Sequence, residues 1–401
     1  MSSTTLSAGV SAPSAPRRVT SIGYYAAFVG LGLVAASLGP TLPGLAAHTN
    51  TQLSAISMIF TARALGYLGG SMVAGWAYDR QAGHPIVAAA IVAIAILMAL
   101  VPIVPLLWIL VGIVLLVGLA EGLMDVGVNA LLVWLHHPDV GPAMNALHFF
   151  FGLGAFLSPL IVAQVILFSE DINWAYWAIA LMLVPIALWL LRLPSPHAPK
   201  TDETREPVAI DRLLAGLTIL FLFVYVGIEV GFSGWIYTYA IAQTHFTETQ
   251  AAYLNSGFWG AFTLGRLISI PLAARLRPRY LLVGELALAM LCVGLILLWS
   301  TSASVLWVGV CGTGLAISAL FPVTLTWAGR HMTLTGRVTS WFFIGASIGA
   351  MFFPWFIGQF FENTGPLFTM LTVMACIVVD LIIFLILMLY AGQPRFAAGE
   401  V

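Results

Sequence analysis

The chain has 401 residues, of which 61% are hydrophobic and only 8% are charged. An ordinary soluble domain carries about 25% charged residues, so no water-soluble fold covers this much apolar side chain. The formal net charge of −1 carries no sign of a nucleic-acid partner.

A bilayer-crossing helix needs roughly 20 predominantly apolar residues. Apolar runs broken by Pro, Gly or charge predict twelve such spans, at 20–46, 51–78, 85–104, 107–136, 142–168, 172–193, 210–242, 249–275, 279–299, 303–329, 337–361 and 366–391. Several exceed the hydrocarbon thickness and are expected to tilt or protrude. Arg17, Arg18, an apolar run and Ala35-Ala36-Ser37 have the outline of a secretory signal. The repeat described below argues that this run is kept as the first span. Cys292, Cys311 and Cys376 lie in apolar runs without ligand spacing and read as packing residues.

Basic residues set the orientation. With the N-terminus in the cytoplasm, Arg17, Arg18, Arg80, Arg192, Lys200, Arg205, Arg212, Arg275, Arg277, Arg279, Arg330, Arg337 and Arg395 all fall inside, and no outer loop contains Lys or Arg. The expectation is an integral protein of the plasma (inner) membrane with both termini cytoplasmic. Its organisation is a tail at 1–19, a six-helix bundle at 20–193, a cytoplasmic linker at 194–209, a second bundle at 210–391 and a tail at 392–401.

The bundles are copies. A shift of 197 residues lays Val29-Gly30 and His48 on Val226-Gly227 and His245. A shift of 199 lays Ser57, Ala62, Leu65, Gly66, Leu68, Ala74 and Arg80 on Ser256, Ala261, Leu264, Gly265, Leu267, Ala273 and Arg279. A shift of 195 lays Gly154-Ala155, Pro159 and Gln164 on Gly349-Ala350, Pro354 and Gln359. Small residues at such positions let helix backbones approach closely. Duplicated six-helix halves place a substrate site between them, near the bilayer midplane.

Charge inside a span costs roughly 2.5–3.5 kcal/mol on insertion scales unless paired or wetted. The chain keeps Arg63 in the second span, Glu121 and Asp125 in the fourth, Glu229 in the seventh, Arg266 in the eighth and Asp380 in the twelfth. Glu121, Asp125 and Asn129 follow one another at intervals of one helical turn and share a stripe. Carboxylates one turn apart repel, so one of them needs a proton or a nearby cation. Arg63 lies at the depth of Glu121, which predicts a pair whose role is left open. Asp125 has no evident partner and reads as a site for a proton, or for Na⁺ together with Asn129. Glu229, between Gly227 and Gly231, replaces Gly32 of the repeat and so belongs to one half only. Glu285 and Arg266 read as structural, and Asp380 is left unassigned.

Aromatic and amide side chains form the other constellation. Trp134, His148, Phe149, Trp235, Trp259, Trp327 and Trp341 accompany Asn145, Asn255, Thr324, Thr326 and Gln164. Indole faces stack on the C–H faces of sugars, and amides bind hydroxyls. The same rings also serve packing and lipid contact. No nucleophile–base set, phosphate loop or metal motif is present, and neither enzyme chemistry nor a cofactor is expected.

Gly75-x3-Asp79-Arg80-x2-Gly83 resembles the signature of the loop between the second and third helices of the major facilitator superfamily, with His84 where a basic residue is usual. Met124-Asp125-Val-Gly-Val-Asn129, the run from Asn145 to Pro159, Tyr225-Val-Gly-Ile-Glu229 with Gly234-Trp235, and Leu320 to Trp327 resemble the sodium-dependent glucose transporter-like branch. More distantly they resemble the fucose–proton symporters. In those symporters a helix 4 carboxylate followed four residues later by Asn contributes to the central site, a spacing that Asp125 and Asn129 match. An acid in their first helix has no counterpart here, and Glu229 is the candidate to replace it.

These readings converge on an all-α membrane protein of the major facilitator fold. The expected activity is cation-coupled symport, with H⁺ or Na⁺, of a hexose-like sugar by alternating access. Asp125, Glu229, Glu121 and Arg63 would couple the ion. Asn129, Asn145, His148, Trp235, Asn255, Trp259, Thr324 and Trp327 would contact substrate, and Gly75, Asp79, Arg80 and Gly83 would gate. The protein is expected to be a monomer in membrane lipid. A proton-coupled exporter of drugs or lipid-like molecules shares the fold and is the first rival. A transporter using Arg63 to hold an anion, and a non-transporting receptor, are two more.

Overall fold

A computed structural model describes residues 17–78, 80–196 and 211–391. Among them twelve helical spans are long and apolar enough to cross a membrane. They are Arg17–Ala35 (span 1), Leu53–Tyr78 (span 2), Gly83–Ile103 (span 3), Leu107–His136 (span 4), Gly141–Ser169 (span 5), Asn173–Leu191 (span 6), Arg212–Thr244 (span 7), Glu248–Arg275 (span 8), Pro278–Leu298 (span 9), Ala303–His331 (span 10), Gly336–Thr364 (span 11) and Leu367–Ala391 (span 12). The tails and most of the linker, with Lys200, Arg205 and Arg395, lie outside the described residues, as does Asp79.

Proline breaks two of the expected continuous helices. Span 1 stops at Ala35 and a separate helix, Leu38–His48, follows. Pro40 has no N–H to give the Ala36 carbonyl, and its ring crowds that group. Span 10 is likewise two helices, Ala303–Ile317 and Leu320–His331. There Pro322 withholds a donor from Ser318.

Two large hydrophobic cores hold the fold, beside a small cluster at Val162, Ile166 and Ala175. One gathers residues of spans 1–6, from Tyr24 to Leu190, and the other gathers residues of spans 7–12 together with Ala36, Ala155 and Ala163 of the first half. Trp235, Ile357 and Phe361 of the second half join the first core, which marks where the halves meet. Glycines set the closeness within each half. A Cβ on Gly66 or Gly70 of span 2 would stand 1.9 Å from the Leu115 or Leu119 carbonyl of span 4. A Cβ on Gly118 or Gly122 of span 4 would stand 2.0 Å from the Arg63 carbonyl or 2.2 Å from that of Tyr67. Spans 2 and 4 therefore touch backbone to backbone. The repeat reproduces this device: Gly154 presses on the Val29 carbonyl of span 1, and its equivalent Gly349 presses on the Phe223 carbonyl of span 7.

Chain ends mark one face. Tyr390, near the end of span 12, donates to Asp211 at the start of span 7 at 3.0 Å. His84, at the start of span 3, bonds the Leu193 carbonyl and Ser195 past the end of span 6, both at 2.8 Å. The described hydrogen bonds between the halves keep to the middle and the opposite face. Thr61 donates to the Met351 carbonyl at 2.9 Å and Ser256 to that of Phe156 at 2.7 Å. Farther out, Leu53 N–H donates to Glu362 at 3.1 Å. The halves are thus fastened together away from the termini.

Candidate functional site

The glycine contact between spans 2 and 4 places two residue pairs face to face. Arg63 and Glu121, and Tyr67 and Asp125, are each 58 positions apart. Because the backbones touch, side chains one turn apart on span 2 meet side chains one turn apart on span 4.

The outer pair is an ion pair. Arg63 Nε donates to Glu121 Oε2 and Nη2 to Oε1, both at 2.7 Å. This planar fork satisfies both carboxylate oxygens. Glu121 is 0% exposed and Arg63 is 22% exposed. Removing either partner would strand a buried charge. The pair is the expected one. The pairing weighs against a transporter that uses Arg63 to hold an anion, because both carboxylate oxygens of Glu121 already engage that cation.

The inner pair contains the acid without a cation. Tyr67 Oη donates to Asp125 Oδ2. Asn129 Nδ2 donates to Asp125 Oδ1 at 2.8 Å and to the Asp125 carbonyl at 2.9 Å. Among the described residues Arg63–Glu121 is the one ion pair. Asp125 and Asn129 are half-buried. Tyr67 is not among the sequence candidates. Its position one turn after Arg63, opposite the second of two acids one turn apart, is the signal that points to it.

The break in span 10 organises a second cluster in the other half. Tyr225 Oη donates to Glu229 Oε2 at 2.5 Å and reaches the Ile317 carbonyl at 3.2 Å. Arg266 Nε donates to the Ser318 carbonyl at 3.3 Å, and its guanidinium lies 4.6 Å over the Phe262 ring. Of the two carbonyls just before the break, that of Ser318 takes the Arg266 donor and that of Ile317 lies beside the Tyr225 hydroxyl. Discontinuous helices of this kind recur at transporter sites. Arg266 is not in ion-pair contact with Glu229, although its charge is felt there and at His148. Span 5 runs antiparallel to span 8, with Gly152 against Thr263. That register brings His148 level with Arg266 across the seam. Sequence alone marks Arg266 as structural; the structure joins it to the Glu229 cluster.

Several expected substrate contacts are enclosed. Trp235 is fully buried, with Nε1 donating to the Pro354 carbonyl at 2.9 Å and its ring stacked 5.0 Å from Phe361. Asn255 is buried, and its Nδ2 donates to the Ser233 carbonyl at 2.7 Å. Trp259 packs on Phe258 and Phe262. Trp327 packs on His331 and Phe384, and Thr324 is buried beside it in sequence. These five are not brought to the Asp125 cluster in this conformation. Asn145 is exposed near the start of span 5, and His148 is half-buried against Phe28. Of the expected gating residues, Arg80 lies over Trp76 of its own helix, Gly83 fits against Leu131 and Gly75 meets no close neighbour. Asp380 is fully buried with neither oxygen bonded among the described residues, and Glu285 has one oxygen unbonded.

Comparisons with known proteins agree with this architecture. Residues 22–354 match the Major Facilitator Superfamily. Sodium-dependent glucose transporter 1A of Mus musculus is 31% identical over 375 residues, covering 83% of this chain and 88% of that protein. Sodium-dependent glucose transporter 1 of Homo sapiens is 30% identical over 375 residues, covering 83% and 72%. Major facilitator superfamily domain-containing protein 4A of Mus musculus is 26% identical, covering 85% and 86%. In fold the chain is similar to the nucleoside transporter NupG, with a TM-score of 0.76 at 12% identity over 92% of this chain and 99% of that one. It is also similar to a bacterial homolog of the human lysosomal transporter Spinster in its inward-facing and unoccupied conformation, with a TM-score of 0.71 at 14% identity over 94% and 96%. Twelve apolar helices in two repeated halves, the matched profile and these relatives leave one conclusion: the chain belongs to the major facilitator superfamily and is an integral membrane transporter, not an enzyme.

Proposed function

We propose that the protein couples movement of a hexose-like neutral solute to a monovalent cation by alternating access. One observation carries the reading: Asp125 is a carboxylate inside the spans that holds hydrogen-bond donors but no cation of its own. The glucose in the names of the 30–31% identical relatives supports a sugar as that solute.

In this reading the termini and the basic loops are cytoplasmic. The bonds between the halves then lie on the outer side, as expected of an inward-facing state. Asp125 and Glu229 sense the ion, Arg63–Glu121 braces the stripe, and Asn129, Asn145 and His148 meet solute from the inner opening. Trp235, Asn255, Trp259, Thr324 and Trp327 come into play when the outer seal parts. An ion drives the solute only if its affinity differs between the two states. The test is reconstitution into liposomes with imposed Na⁺ or pH gradients and a panel of labelled sugars. Accumulation of at least one hexose is expected. Failure of every sugar to accumulate or exchange would sink the proposal.

A further inference from the structure

We infer that the ion bound at Asp125 is a proton rather than Na⁺, and that Tyr67 is the positioning residue that makes it so. The inference rests on the symport reading above and assigns its ion.

A hard cation needs several oxygens converging on one point. The donors around Asp125 point the other way. Tyr67 aims its O–H at Oδ2. Asn129 turns Nδ2 toward both Oδ1 and the Asp125 carbonyl. That amide orientation is not interchangeable, because the flipped form would set its oxygen against two acceptors. The amide oxygen of Asn129 therefore points away from the carboxylate. The next acid along the stripe offers nothing, since both oxygens of Glu121 are held by Arg63. Asp125 is left as a lone carboxylate surrounded by hydrogens, which a cation would have to displace.

A proton fits the same geometry without displacing anything. A phenolic hydroxyl both donates and accepts. When Oδ2 gains a proton, the new O–H donates to Tyr67 Oη, and the tyrosine hydrogen rotates away. Asn129 goes on donating to Oδ1. Every heavy-atom contact survives loading and unloading, and only the direction of one hydrogen bond reverses. The glycine contact that holds Tyr67 one turn from Arg63 keeps the phenol in register for this exchange.

The groups facing Asp125 are Tyr67 from span 2, and Glu121 and Asn129 from its own helix; Arg63, one turn before Tyr67, is turned to Glu121. Spans 1, 3 and 5 also pack on span 4. Among the described residues they add no hydrogen-bonding or electrostatic partner to this carboxylate.

The experiment is infrared spectroscopy of the full-length protein in lipid nanodiscs across a pH series, in choline buffer and in Na⁺ buffer of equal ionic strength. A protonated-carboxyl band should fade as pH rises, be absent in Asp125→Asn and shift in frequency in Tyr67→Phe. It should be unchanged when Na⁺ replaces choline, a comparison that needs no variant. A wild-type band removed saturably by Na⁺ at fixed pH, or the absence of any Asp125-dependent band, would overturn the assignment. Reconstituted protein separates this from the symport reading. Sugar uptake driven by a Na⁺ gradient at equal pH overturns the proton and keeps symport. A pH-titrating, Na⁺-insensitive Asp125 in protein that moves no sugar supports the proton and overturns symport.

Discussion

Gln164 and Gln359, equivalent residues of the two halves, make the same kind of bond across the seam. Gln164 Nε2 donates to Tyr253 Oη at 2.6 Å, and Gln359 Nε2 donates to the Ser54 carbonyl at 2.8 Å. Tyr253 and Ser54 are themselves equivalent by the 199-residue shift. The face away from the termini is therefore closed by two latches related by the repeat.

Both latches must break when that face opens. A neutral hydrogen bond contributes about 0.5–1.5 kcal/mol net, so each Gln→Ala change should shift the closed–open balance by about two- to twelvefold. Spin labels at His48→Cys and His245→Cys report the far-face separation. Gln164→Ala and Gln359→Ala should each add a longer-distance population, and the double variant should add more. An unchanged distance distribution in the double variant would show that the latches do not hold the state.

Glycine placement predicts a contrast within one helix pair. A Cβ on Gly118 meets the Arg63 carbonyl, and backbone does not yield as a flexible side chain does. Gly118→Ala should destabilise by about 1–3 kcal/mol or more through overpacking, and it should part Tyr67 from Asp125. At Gly69 and Gly112 a Cβ meets nothing within 4 Å. Gly69→Ala and Gly112→Ala should be neutral or up to about 1 kcal/mol stabilising. Thermal melts in nanodiscs compare the three.

Glu121→Gln leaves the Arg63 charge without its counter-ion. Breaking a buried pair from one side costs roughly 3–5 kcal/mol. The double variant Arg63→Gln/Glu121→Gln should recover a large part of that loss, and the double-mutant cycle should return a strong coupling energy. A cycle that sums additively would mean the fork contributes nothing as a pair.

Pro322→Ala restores the N–H that Ser318 lacks. The helix should close across Ser318–Ala319 and withdraw the carbonyl that holds Arg266. A raised apparent KM with an unchanged or higher melting temperature is expected. A transporter with unaltered KM would separate the break in span 10 from the site.

The spans are legible because apolar runs of membrane length fold in few other ways, and the repeat offsets match Gly, Pro and Gln as well as apolar residues. Arg63–Glu121 is legible because charge in a span demands a partner. Tyr67 is not, since a tyrosine in an apolar run makes no such demand and its partner is 58 residues away. Trp235 is a different case. Polar neighbours surround indoles in cavities and in seals alike, and only the bond to the Pro354 carbonyl places this one in the seal. Pro322 is visible as a residue, but the Ser318 carbonyl it leaves without a helical donor is met by Arg266, 52 positions earlier in the chain.

Coupling through Asp125 is most directly tested by comparing two transport modes in one preparation of Asp125→Asn. Equilibrium exchange of labelled sugar needs only alternation of the two states, whereas accumulation against a gradient needs the ion. Exchange near the wild-type rate with accumulation abolished is the predicted result. Accumulation that survives unchanged would contradict the account.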